Sequence, residues 1–279
     1  MADEKGAEKP FHASPILVVP VAASLIVGVL FAGLIISSQV VFPTVTPAPE
    51  MGFGPVINAL IFVVLASFGA SMIYILWKHK LKNSIRILIS FAITIVTFFL
   101  SNIYLWMLFS LLNIPEIEFL ALLDAILITA IVDVEVFMLQ NVGSELVILG
   151  LGGAVGTFLG AAIPTISAVL ILLFLAAYDI VAVFRGPVGK IAAEGLDELR
   201  GLSFSFRDIQ MGLGDLTFYS MLAAHALIFF GPLASLGSAV GVVIGSFFSF
   251  KMLERRGMFP GLPFSIVLGL LGMFIGAVL

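Results

Sequence analysis

Six ionisable residues lie inside long apolar stretches of this chain: Asp124, Asp133, Glu135, Asp179, Asp215 and His225. A charge at membrane depth is costly, so each is a functional candidate by default. Two of the acids separate from the rest by depth. Asp179 stands six residues before Arg185, and Asp215 eight residues after Arg207. At 1.5 Å rise per residue these offsets place the two carboxyl groups about 9 and 12 Å from one edge of the apolar layer. Consecutive stretches thus carry acids at nearly one height. If they face each other they share a proton, because like charges a few ångströms apart resist joint ionisation. Titration then belongs to the pair. The ionised partner can act as general base on a water while the neutral partner donates to a carbonyl oxygen, which suits peptide-bond hydrolysis without metal, cofactor or covalent nucleophile.

The neighbouring residues fit this chemistry to different degrees. Gly212-Leu213-Gly214 runs directly into Asp215. Glycine permits close backbone approach and helix irregularity, although a packing role explains a glycine pair equally well. Tyr178 precedes Asp179, with a hydroxyl that either orients a carboxyl or lies at the helix surface. Pro260-Gly261-Leu262-Pro263 opens the last apolar stretch. Proline is at home in a first helical turn. Two prolines and a glycine also leave backbone groups free to pair with an extended substrate strand. Asp124, Asp133 and Glu135 are read as structural acids, with Asp124 and Glu135 eleven residues apart and so on one helix face. His225 is read as a hydrogen-bonded core histidine. His12 and His79 lie in polar segments, no histidine–carboxylate cluster suggests zinc, and without cysteine neither disulfides nor thiolate sites exist.

These residues must be positioned by elements suited to lipid. Of 279 residues, 61% are hydrophobic and 11% charged. A soluble domain carries about 25% charged residues, and a water-soluble fold could not hide this much apolar surface. A spanning helix needs about 20 apolar residues. Such stretches occur at 16–37, 54–77, 84–111, 117–139, 145–163, 165–184, 211–231, 233–250 and 262–279. The first is too long for a signal-peptide core and no small-residue cleavage site follows it. The reading is an all-α membrane protein of nine transmembrane helices: a polar leader (1–15), helices 1–6 (16–184), a cytoplasmic loop (185–210) and helices 7–9 (211–279). With nine spans, all 13 lysines and arginines fall on one side. The positive-inside rule makes that side the cytoplasm, so the N-terminus is cytoplasmic and the C-terminus outside. In the loop, Ser203-Phe204-Ser205-Phe206 alternates as a short strand would. Glycine recurs every fourth residue at 152, 156 and 160 and at 237, 241 and 245. That spacing suits tight helix packing, either within the chain or between copies in a homo-oligomer.

Tyr178-Asp179, then Gly212-Leu213-Gly214-Asp215, then Pro260-Gly261-Leu262-Pro263, in that order on spans six, seven and nine, resemble the motifs of presenilin and the signal peptide peptidases, the GxGD intramembrane aspartyl proteases. The longer run Gly212 to Ser220 is closer to presenilin. The motifs cover spans six to nine; earlier spans match only in number. The resemblance implies a presenilin-like bundle, Asp179 and Asp215 as catalytic groups, and a proline motif that supports the active site and substrate binding. The family usually has alanine where this chain has Gly261, which bears on local rigidity more than on function. The loop 185–208 is shorter than in animal presenilins, so self-cleavage there is not implied. A chain this small is similar to the microbial, archaeal homologues, which need no partner subunits.

The expected function is therefore hydrolysis of transmembrane segments of other membrane proteins, in the cell membrane and without nucleic acid. Span six runs outside to inside, so substrates are expected to have their N-terminus outside and to be cut nearer the cytoplasmic end. Three other readings compete. A proton-coupled transporter also uses acids at membrane depth, but the two halves show no convincing inverted pairing. A prepilin-type peptidase shares the GxGD pattern but places its first aspartate much earlier and lacks the proline motif. A non-catalytic scaffold or leak channel would tolerate Asp179→Asn.

Overall fold

The computed structural model describes residues 12–115, 117–139, 141–185, 201–206 and 209–279. Nine α-helices form among them: α1 (Val19–Ser38), α2 (Gly54–Lys78), α3 (Lys82–Leu111), α4 (Ile117–Val134), α5 (Val142–Ala162), α6 (Thr165–Arg185), α7 (Leu213–Phe230), α8 (Pro232–Arg256) and α9 (Leu262–Val278). A 3₁₀ turn, Pro15–Val18, leads into α1. Each expected span is a helix within a few residues of its expected bounds, except that α8 runs six residues past the expected end at 250 to Arg256, and where noted below. Helices are the required form, because backbone groups in lipid must be satisfied within the segment.

Seven of the described helices are long and apolar enough to cross a membrane. The two that fall short have local reasons. α4 carries three carboxylates, Glu118, Asp124 and Asp133. α9 has 17 residues, about 26 Å of helix, just under the thickness of a typical hydrocarbon core. The protein is a multi-pass membrane protein.

Helix α7 is the axis of the bundle. Its residues 216, 217 and 219–226 are all buried, and it packs against α1, α5, α8 and α9. The glycine spacing explains how neighbours come so close. A Cβ at Gly152 would lie 2.9 Å from Leu216 Cβ, and one at Gly160 would lie 2.7 Å from the Met221 carbonyl oxygen. Gly237, Gly241 and Gly245 of α8 likewise lie against the α9 backbone at Gly272, Leu268 and Phe264. Both stripes are therefore spent inside the chain.

Two departures from the expected elements matter. The fourth span does not continue as α-helix to residue 139: from Glu135 to Leu139 it widens into a π-helix. The widening starts at Glu135 itself, so that residue keeps the face of Asp124 and the residues after it turn away. The seventh span starts at Leu213 and not at 211, because Ile209–Gly212 is a strand, β2, paired antiparallel with β1, Ser203–Phe206. The expected strand at 203–206 is present, with a partner that the sequence pattern did not reveal. Residues 1–11 and 186–200, most of the leader and much of the loop, lie outside the described residues.

Candidate active site

Asp179 projects from the last two turns of α6, and Asp215 is the third residue of α7 after the N-cap Gly212. A carboxylate in a first turn faces unsatisfied N–H groups and the positive end of the helix dipole, which explains an acid there without function. It also means that Asp215 follows a strand, not two turns of helix. The hairpin runs on to the helix start, where the Leu213 N–H donates to the Leu202 carbonyl at 2.8 Å.

Helix α9 joins the two acids. It packs on both α6 and α7. Its N-cap is Gly261, and Pro263 sits in the first turn, where its missing N–H costs no helical bond. The free N–H groups of that turn need partners. Leu262 N–H donates to Asp179 Oδ2 at 3.0 Å, and Gly261 N–H also bonds the Asp179 carboxyl group. Asp179 thereby caps a helix other than its own. From the opposite side Asp215 lies against Gly261, so close that a Cβ there would be 2.8 Å from Asp215 Oδ2. The two carboxyl groups are near enough to interact electrostatically. Both residues are half-buried.

This corrects the expectation for the proline motif. The Gly261 and Leu262 backbone groups are not left unpaired: the N–H groups hold Asp179, and the Gly261 carbonyl accepts from Tyr219 Oη at 2.9 Å and from Ser249 Oγ and Ser265 Oγ at 3.2 Å each. Pro260 and Leu262 are buried beside it. The missing side chain at 261 makes room for Asp215, a tighter constraint than rigidity.

The glycine pair also has a different role from the expected one. Gly212 and Gly214 are exposed, and a Cβ at either would meet nothing nearer than 3.8 Å. Among the described residues they serve no close approach and leave the surface beside Asp215 bare. Leu213 points away, toward Gly152 of α5. Tyr178 is half-buried, and among the described residues its hydroxyl makes no hydrogen bond. Tyr219 was missed as a site residue. Its signal is its spacing, four residues after Asp215 and so on the same helical face.

Of the remaining ionisable groups His225 and Asp133 have local hydrogen-bond partners, whereas Glu135 Oε2 is buried with none among the described residues. His225 Nδ1 is 2.7 Å from the Gly160 carbonyl and Nε2 is 3.1 Å from Thr165 Oγ1, so it ties α7 to the α5–α6 turn as a core histidine. Asp133 Oδ2 accepts from Thr94 Oγ1 at 2.8 Å. Glu135 rests against Gly143 at the start of α5. Among the described residues no group of three or more His, Asp or Glu could hold a metal ion.

No protein-family model and no curated protein matches this chain. Solved structures do. A presenilin family intramembrane aspartate protease in a C222 crystal form superposes with TM-score 0.65 at 20% identity, over 95% of this chain and 99% of that one. A presenilin family intramembrane aspartate protease in a P2 form gives the same score and identity over 94% and 97%. Nearly full coverage in both directions leaves no large element of either chain without a counterpart, and this protein has the fold of the presenilin family intramembrane aspartate proteases.

Proposed function

We propose that this protein is an intramembrane aspartyl protease that hydrolyses peptide bonds within transmembrane segments of other membrane proteins, with Asp179 and Asp215 activating a water. The observation that carries this reading is the meeting of both carboxyl groups, from different helices, on the single Gly261–Leu262 segment. The shared fold supports it against the transporter and prepilin-peptidase readings.

Hydrogen bonding divides the roles. An ionised carboxyl group is acceptor-only, and two backbone N–H donors already meet Asp179 in that form. Among the described residues no N–H or O–H donates to Asp215, which suits the protonated partner. Asp179 then takes a proton from water as it attacks the scissile carbonyl carbon, while Asp215 donates to the carbonyl oxygen. The tetrahedral intermediate collapses when the departing nitrogen receives the proton held by Asp179 and one hydroxyl of the intermediate returns its proton to Asp215, so the C–N bond breaks and both carboxyl groups regain their starting states. Strand β2 ends at Gly212, three residues before Asp215, so an extended segment paired to the edge that no described strand occupies would pass the carboxyl group. Tyr178, Gly212 and Gly214 flank that path, and Leu213 and Pro260 to Pro263 support it from within the chain. Substrates are single-span proteins with the N-terminus outside, and the chain acts in the cell membrane without obligatory partner subunits.

The test is cleavage of matched transmembrane reporters of both orientations in detergent or liposomes, with products identified by mass spectrometry. Asp179→Asn and Asp215→Asn should each lower the rate by about 10²–10⁴ while leaving the melting temperature near wild type. Fragments produced equally by either variant would end the proposal, and preference for the N-inside reporter would reverse the predicted orientation.

A further inference from the structure

The Gly261 carbonyl is surrounded by hydroxyl groups. A carbonyl oxygen offers two lone pairs, yet hydroxyls from three helices converge on this one: Tyr219 from α7 at 2.9 Å, and Ser249 from α8 and Ser265 from α9 at 3.2 Å. The distances rank them. Tyr219 makes the shortest bond, whereas Ser265 has an alternative partner in Ser246 Oγ at 3.0 Å. Ser246 Oγ donates its own proton to the Val242 carbonyl at 2.8 Å, so toward Ser265 it serves as acceptor, and both serines lie beside the Tyr219 oxygen. Such networks polarise and strengthen each member. Tyr219, Ser246 and Ser265 are at most 1% exposed, so water does not compete for these bonds.

The cluster at Gly261 differs from other buried polar contacts between helices, such as Ser24 Oγ to Ser220 Oγ at 3.0 Å, in that hydroxyls from three helices converge on one carbonyl. Its geometry gives a reason. The Gly261–Leu262 peptide carries the Leu262 N–H that holds Asp179, the Gly261 Cα face abuts Asp215, and the carbonyl of that same peptide is the third point of attachment. We infer that Tyr219 is a positioning residue: by fixing the Gly261 carbonyl it sets the separation of the two carboxyl groups, and the serines hold Tyr219 in place. The inference rests on the protease reading. Tyr219 touches neither water nor substrate in this role and acts through Gly261.

The test compares wild type, Tyr219→Phe and Ser249→Ala in the cleavage assay, with binding of a transmembrane peptide in which a hydroxyethylene group replaces the scissile bond. That group mimics the tetrahedral intermediate and reads the separation of the carboxyl groups directly. Tyr219→Phe should lower kcat by about ten- to a hundredfold with KM unchanged. It should weaken the hydroxyethylene peptide by a similar factor and leave the unmodified peptide's binding alone. Ser249→Ala should show the same pattern at a few-fold. Wild-type kcat in Tyr219→Phe, or a loss that appears equally in kcat, KM and melting temperature, would overturn the positioning role and leave the protease reading intact. A wild type that neither cleaves nor binds the hydroxyethylene peptide would overturn both.

Discussion

Gly156→Ala is the sharpest probe of how the bundle positions Asp215. Gly156 of α5 faces α7, and a Cβ there would collide with the Thr217 carbonyl oxygen and come within 2.7 Å of Met221 N and 2.8 Å of Ser220 Cβ. Two of these three are backbone atoms, which cannot rotate away. Ordinary contact needs about 3.5–4.0 Å, so α5 and α7 must part by about 1 Å. Overpacking of this kind costs about 1–3 kcal/mol, but replacing a helical glycine by alanine returns up to about 1 kcal/mol. The matched control is Gly150→Ala on the same helix, where a Cβ meets nothing within 4 Å. Propensity cancels between the two variants, leaving a gap of about 1–3 kcal/mol, or about 2–12 °C in melting temperature. Activity should be more sensitive. Thr217 is two residues from Asp215, about 3 Å along the axis, so the displacement reaches the carboxyl group almost undiminished. A misplacement of about 1 Å is worth about 10²-fold in rate. The assay is reporter cleavage alongside thermal unfolding in one detergent. If the two variants melt together and cleave alike, the α5–α7 contact does not position the site.

Two further outcomes are expected. Cleavage should follow a bell-shaped pH profile: in acid both carboxyl groups are protonated and no base remains, and in alkali both are ionised and no acid remains; a rate flat across that range would rule out proton sharing. His225→Ala strands the buried Gly160 carbonyl and Thr165 hydroxyl and opens a cavity, so it should cost about 2–5 kcal/mol with cleavage per folded molecule retained; an unchanged unfolding curve would contradict its role in tying α7 to the α5–α6 turn.

The helices were legible because their cause is local. A run of apolar residues near 20 long must be helical in lipid wherever it packs, so most helix limits fell within a few residues of the hydropathy pattern. The exceptions are places where tertiary contacts act against it. Residues 135–139 are as apolar as the helix before them, yet the backbone widens where Glu135 settles against Gly143 at the start of α5. Ile209–Gly212 reads as the beginning of a span, but pairing with Ser203–Phe206 claims it for a hairpin.

At the candidate site the same division holds. The sequence singled out Asp179 and Asp215 as the candidate pair by their depth, and set the order of the glycine and proline motifs around them. It could not say what those motifs touch. That Gly261 gives up its N–H to one aspartate and its bare Cα to the other, that three hydroxyls share its carbonyl, and that Tyr178 takes no part among the described residues are consequences of how α6, α7, α8 and α9 meet. Depth in the membrane follows from position along one helix, whereas a contact between residues 83 positions apart follows from the relative placement of two, which no local pattern encodes.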